Sequence, residues 1–229
     1  MEKNGRKQSE AEFLRITLLS KSDEPIFFYS NLPLEEAAKD ENFKKKWLLA
    51  IAMVLKKGLH LNMIHNIDRP ISEMLLGIEN WIPLYMTGAI SPYYFKKTPS
   101  DLFYTAHYTS GAVALSSEYI KASDGKSRYY LTTKKEELEY YKAKSEYLLK
   151  KASPLMEIFK EDNKDEFKTF MNMQNSNEIK TVKKDCYKNI DFSINKNKWV
   201  MINKKTSPQM HFVIYNSKLR SAFETFLAK

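Results

Sequence analysis

The chain is poor in several residue types that each open a class of chemistry. Among 229 residues there is one cysteine, Cys186, and there are four histidines, His60, His65, His107 and His211. A lone cysteine excludes an internal disulfide framework and a cysteine-based zinc site. Six glycines and eight prolines are too few for a linker-rich chain. No apolar run approaches the ~18 residues that span a bilayer. The start, MEKNGRKQSEAEF, has no apolar segment after its charges, so a secretory signal is not expected. These absences lead to the expectation of a cytoplasmic protein with no membrane partner.

What is present argues for a folded core. Hydrophobic residues make up 43% and aromatics 13% of the chain, well away from disordered composition. The net charge of +9 is unevenly spread. Residues 1–120 carry 14 Lys+Arg and 14 Asp+Glu, and residues 121–229 carry 23 and 14. A basic half admits nucleic acid as a partner. Only five of the 37 cations are arginine, the residue suited to bidentate base or phosphate recognition. A lysine-rich solvated surface therefore accounts for the excess better.

Periodicity outlines the elements. Residues 9–20 read as a short helix. Residues 25–30 (PIFFYS) read as a buried strand. A long helix follows from about Leu34 to Lys57, with Phe43, Trp47, Ala50, Ile51, Val54 and Leu55 on one face. Lys56, Lys57 and Gly58 close it, and a strand over 59–64 follows. Strand, helix, strand is the layout of a parallel βαβ unit. A second helix should place Ile71, Met74, Leu75, Ile78, Ile82 and Tyr85 on one stripe and kink or end at Pro83. Residues 90–96 read as a strand, and 102–115 as a hairpin or bulged run around Ser110-Gly111. Residues 134–160 read as a long helix interrupted near Pro154. The span 161–195 is polar and carries no clear pattern. Residues 198–203 and 210–215 form an antiparallel hairpin signal, and Asn216 would cap a terminal helix. The fold class is α/β: a mixed, partly parallel sheet flanked by helices, with a C-terminal strand–strand–helix. The domains are an N-terminal helical segment over 1–23 and one α/β domain over 24–229, with a subdivision point near 121–133.

The segment LHLNMIHNIDRP concentrates the polar chemistry. His65, Asn66, Asp68 and Arg69 fall within one turn, at the carboxyl end of a parallel strand and the start of a helix. Open α/β sheets bind ligands at such edges, and anions are favoured by free helix N–H groups. Tyr29 and Ser30, after the preceding strand, should reach the same edge. His65, Asn66, Asp68, Arg69, Tyr29 and Ser30 are thus the candidate ligand-binding set. The competing reading is a well-capped turn: Asp68 caps the helix, Asn66 suits the turn, and Arg69 pairs with Glu73. No catalytic residue is assigned. None of the four histidines begins a His-x-Lys motif, and there is no G-x-S-x-G, P-loop, G-x-G-x-x-G or H-E-x-x-H. His60 and His65 are an odd number apart and lie on opposite faces of a strand, so no metal site is expected. No cofactor is called for. The aromatic set Trp47, Trp81, Tyr85, Tyr93, Tyr94, Phe95, Phe103, Tyr104 and Tyr108 reads as core before it reads as an apolar pocket.

The stretches EPIFFYSNLPLEEAAKDENFKKKW, KKGLHLNMIHNIDRPISEMLLGIENWIPLYMTGAISPYY and MHFVIYNSKLRSAFETFL resemble the C-terminal, effector-like region of Firmicutes transcriptional regulators of the Cro/C1-type (XRE) helix-turn-helix family. The resemblance covers most of residues 24–120 and the last 30 residues. It implies a non-enzymatic regulatory domain that senses a signal or drives oligomerisation. The partners it implies are a small-molecule or anionic ligand and a second copy of the chain. DNA would be bound only through a helix-turn-helix, and the roughly 20 residues ahead of the domain are too few to form one. The βαβ layout is also similar to a degenerate phospholipase D-like frame, a likeness of fold alone. The sequence is also compatible with two other functions: an enzyme acting on a phosphorylated or anionic small molecule, and a nucleic-acid-binding module using the basic C-terminal half.

Overall fold

The computed structural model describes residues 3–33, 40–85, 87–97, 102–121, 128–159, 165–166, 168–169, 180–183, 190–195, 198–203, 210–214, 218, 221–222 and 225. Helix α1 (Lys3–Leu19) starts six residues earlier than the sequence pattern suggests. Strand β1 (Ile26–Ser30) follows, then α2 (Glu41–Lys56), β2 (Leu61–His65) and α3 (Ile71–Tyr85). Strands β3 (Ile90–Tyr94), β4 (Phe103–Thr109), β5 (Ala114–Ile120) and β6 (Tyr129–Thr132) lead to α4 (Lys135–Lys151). The rest is extended: β7 (Ser153–Pro154), β8 (Met156–Phe159), β9 (Lys180–Lys183), β10 (Ile190–Asn195), β11 (Lys198–Asn203) and β12 (Met210–Ile214).

These elements make an α/β fold. Seven strands form one open mixed sheet in the order β6-β5-β4-β1-β2-β3-β7, and five form a second in the order β8-β12-β11-β10-β9. β1 and β2 pair in parallel across α2, as the βαβ reading requires, and β4 runs antiparallel to β1. The chain divides into two compact units, residues 1–68 with 92–153, and residues 69–91 with 154–229.

In the first unit, alternation along β1 sorts two layers. Phe28 packs its ring on Phe13 of α1 at 5.7 Å and on Trp47 of α2 at 6.1 Å. Phe27 and Tyr29, together with Ile64 of β2, face Leu148, Leu149 and Ala152 at the end of α4. Helices α1 and α2 therefore cover one face of the sheet and α4 the other. Ile26, Phe27, Phe28, Leu61, Ile64, Ala106 and Leu115 are all nearly inaccessible, which places the core along β1, β2, β4 and β5.

Local chemistry explains the boundaries. Asp40 accepts a hydrogen bond from the Phe43 N–H at 3.0 Å, so α2 begins at Glu41; residues 34–39 of the longer expected helix lie outside the described residues. Gly58, at φ +94°, ends α2 as expected, its N–H bonding the Leu55 carbonyl at 2.9 Å. The expected hairpin forms between β4 and β5, pairing Thr109 with Ala114 across a turn closed by the Ser110 N–H on the Val113 carbonyl. Gly111 in that turn is sterically required: a Cβ there would stand 1.9 Å from Ser22 Oγ. The helix expected over 134–160 stops at Lys151. Ala152 closes its last turn on Leu148 and Leu149, and Pro154 forces the preceding residue to be extended, so β7 and β8 take its place.

The second unit carries the second sheet. All four of its pairings are antiparallel, including the expected β11–β12 hairpin. β9 and β10 fall in the stretch whose sequence has no clear pattern. On α3, Met74, Leu75 and Tyr85 are buried as expected, whereas Ile71 is 42% exposed. That helix continues two residues past Pro83 and closes with the Gly88 N–H on the Tyr85 carbonyl. Asn216 and Cys186 lie outside the described residues.

Candidate functional site

The carboxyl ends of β1 and β2 are the natural starting point. Register places Ser30 directly opposite His65, so these two candidate residues share an edge and a face. It is the face of Phe28, covered by α1 and α2. Tyr29 points the other way: it is buried, and its ring meets Phe95 edge-on at 5.4 Å. Period-two alternation separates it from Ser30 and His65. Beyond the strand, Asn66 Oδ1 accepts from the Asp68 N–H at 3.0 Å, an Asx turn. Arg69, the first residue of the second unit, donates to Glu73 at 2.8 Å, with only 9% and 15% of the two side chains exposed. None of Tyr29, His65, Asn66, Asp68 and Arg69 lacks a partner. Within the elbow, Asn66 thus serves the Asp68 N–H and Arg69 pairs with Glu73.

Beneath α1, on the same face as Ser30, lies a buried polar cluster that the sequence pattern did not reveal. Arg6 donates to Glu10 at 2.9 Å, and the Tyr108 hydroxyl donates to the same carboxylate at 3.3 Å. Glu10 is 3% exposed. Burial works against the Arg6 charge, but the Glu10 carboxylate outweighs it and the guanidinium pKa is raised. Burial also pushes the Tyr108 phenol up, with Glu10 adding to the effect. Ser30, Ala106, Ser117 and Tyr129 form one row across four strands under this cluster. The buried Ser117 Oγ has no partner among the described residues.

The other face holds a histidine–serine pair. His107 Nε2 and Ser145 Oγ are 3.0 Å apart, Thr109 Oγ1 is 2.8 Å from the same hydroxyl, and Ser145 donates to the Tyr141 carbonyl at 2.9 Å. Since Ser145 spends its proton on Tyr141, it accepts from His107 and Thr109, which places a proton on the imidazole Nε2. Burial, followed by the Lys144 charge, lowers the His107 pKa to about 3. His107 has no exposed surface. With the nearer ring nitrogen donating to the serine oxygen, the pair is not arranged as nucleophile and base; buried, it ties α4 to β4.

An open concavity of the first unit lies between α1 and α2. Lys7, Gln8, Ala11, Leu14, Arg15 and Leu18 line one side, and Phe43, Lys46, Trp47 and Ala50 the other, around about 530 Å³. That volume falls within the range of small-molecule sites. The helices run side by side in the same direction: Lys7 meets Asp40 and Phe43 at one end, and Lys57 reaches the Thr17 carbonyl at the other. Ala11 and Ala50 lack the side chains that would fill the gap between them. Phe43, Trp47 and Ala50 share one face by periodicity with Ile51, Val54 and Leu55; only the latter three are buried, while the first three form the groove wall. The floor is apolar and the rim cationic. Lys7 pairs with Asp40, and Arg15 forks onto Glu12 at 2.7 and 2.6 Å. Lys46 has no ion pair or hydrogen bond among the described residues.

Among the described residues no group of His, Cys, Asp and Glu is placed to hold a metal ion, and no helix is long and apolar enough to cross a membrane. Comparisons with protein-family models, with curated proteins and with solved structures found no match to this chain.

Proposed function

We propose that the chain is a non-enzymatic, signal-sensing regulatory domain of the kind a transcriptional regulator carries, and that its signal is a small molecule held between α1 and α2. The observation that carries this reading is the groove: concave, apolar-floored and sized for a small ligand. Its position also supports the reading. Trp47 lines it, and the same ring packs on Phe28 of the central strand, which in turn sits 4.4 Å from Tyr108. A ligand against Trp47 is therefore two ring contacts from the buried Arg6–Glu10–Tyr108 cluster under α1. A bound molecule would touch both helices and so favour their packed arrangement.

Ala50→Trp tests the reading by filling the groove from a half-buried position. A thermal-shift screen of small metabolites against the intact chain should find compounds that raise the melting temperature of the native protein and leave the variant's unchanged. Compounds that stabilise both proteins equally, or none that stabilise either, would remove the groove as a sensing site.

A further inference from the structure

The chemistry of the groove specifies its ligand more closely, on the premise that the groove is the sensing site. We infer that it takes a free amphiphilic monoanion, a linear acyl carboxylate, with the carboxylate on Lys46 and the tail along the floor between the helices.

Charge sets the head group. Three cations stand on the rim, but two are already matched within the protein. Lys7 is held by the Asp40 carboxylate, which also caps α2, and lies 5.6 Å over the Phe43 ring. Arg15 is held through two of its nitrogens by Glu12, and that hydrogen bond is the main reason the Glu12 carboxyl sits below its usual range. Lys46, exposed and one turn after Phe43, is the rim cation without a partner among the described residues. One uncompensated positive charge matches one negative charge. A dianion such as a phosphate monoester would bring a second charge to an apolar wall with nothing to meet it. A cation would meet repulsion from Lys46 and find no free carboxylate on the rim.

Shape and polarity set the tail. Ala11, Leu14 and Leu18 of α1 face Phe43, Trp47 and Ala50 of α2, and Gln8 is the one uncharged polar residue among them. The groove follows α1 from Lys7 to Leu18 for about 16 Å and α2 from Phe43 to Ala50 for about 10 Å at 1.5 Å per residue, a span that takes a medium-length acyl chain. Protein partners of standard size bury about 800 Å² on each side, more than a slot between two helices offers, so a single small amphiphile is the better fit.

The test is calorimetric titration of the intact chain with dodecanoate below its micelle concentration, alongside dodecanol, dodecyltrimethylammonium and anionic phospholipid vesicles. Trp47 emission is followed in parallel, with Trp47→Phe separating it from Trp81 and Trp199. Dodecanoate should bind saturably at one site and change Trp47 emission. Lys46→Gln should weaken it roughly tenfold, the scale of one hydrogen bond to a charged group, and leave dodecanol, the weaker ligand, unchanged. Because Lys46 is exposed, this variant should melt as the native protein does. Equal affinity for dodecanol or for the ammonium amphiphile, no effect of Lys46→Gln, or binding to vesicles in preference to free dodecanoate would each overturn the proposal. If another compound occupies the groove in an Ala50→Trp-sensitive way while dodecanoate does not, the ligand class is wrong and the sensing site stands. If no compound of any class is sensitive to Ala50→Trp, the sensing reading falls as well.

Discussion

Replacing His107 by glutamine isolates one buried proton-binding site. In the folded chain His107 is fully buried between the Phe27 and Tyr141 rings, 5.5 and 5.6 Å away, and its Nδ1 has no partner among the described residues. Its pKa is lowered to about 3 from an ordinary value of 6.5, by burial first and by Lys144 second. The unfolded chain binds a proton below about pH 6.5 and the folded chain does not until about pH 3. Protons therefore favour unfolding throughout that window. Native stability should fall with pH by about 1.4 kcal/mol per unit more than in a chain lacking this group. At pH 4.5 the accumulated difference is about 3 kcal/mol. The glutamine remains neutral at every pH, so any cost of the substitution itself is constant. Urea unfolding at half-unit pH steps, followed by near-UV circular dichroism, should show parallel curves for the two proteins above pH 7. Below pH 6.5 the native protein should lose stability faster. A constant offset from pH 7 to pH 4, or an NMR titration in which all four histidines protonate near pH 6.5 in the folded chain, would refute the buried, neutral assignment.

Three further substitutions probe other contacts. Ser145→Ala removes the acceptor shared by His107 and Thr109 and should cost about 1–3 kcal/mol in chemical denaturation, with dodecanoate affinity unchanged. Gly111→Ala puts a Cβ 1.9 Å from Ser22 Oγ and 3.1 Å from Glu24 Cβ. Relief needs the hairpin or the segment of Ser22 and Glu24 to shift, so a loss of about 1–3 kcal/mol is expected, only partly recovered by Ser22→Gly; a neutral result would contradict the close approach. Arg69→Ala leaves Glu73 mostly buried without its partner and should lower stability by about 2 kcal/mol, while Arg69→Met with Glu73→Leu recovers most of the loss. If the elbow were instead an anion site, the single variant would melt normally and lose phosphate binding.

The sequence made the fold more legible than the site, for identifiable reasons. The βαβ unit is readable because β1 opens on the apolar run Ile26-Phe27-Phe28 and α2 ends on Lys56-Lys57-Gly58, both strong local signals. The parallel register of Ser30 with His65 follows from them. The helical pattern over 134–160 breaks at Lys151, close to the interruption expected near Pro154, and the residues beyond it are extended and not helical. The polar residues of the elbow are close in sequence and stand out as a candidate site, yet such neighbours also bond one another, as Asn66 does the Asp68 N–H and Glu73 does Arg69. The groove was hidden for the opposite reason. Its signal is absence of volume at Ala11 and Ala50, 39 residues apart, and an absence acquires meaning only once two helices lie side by side. The His107–Ser145 and Glu10–Tyr108 pairs span 38 and 98 residues, and no spacing rule links such positions.

The central claim is that the ligand lies between α1 and α2 and not at the elbow. Amide hydrogen exchange of the intact chain with and without dodecanoate distinguishes the two places directly. Slowed exchange should be confined to residues 7–18 and 43–50 and should vanish in Ala50→Trp. Slowed exchange centred on residues 65–73, or no change in either segment at saturating dodecanoate, would contradict the account.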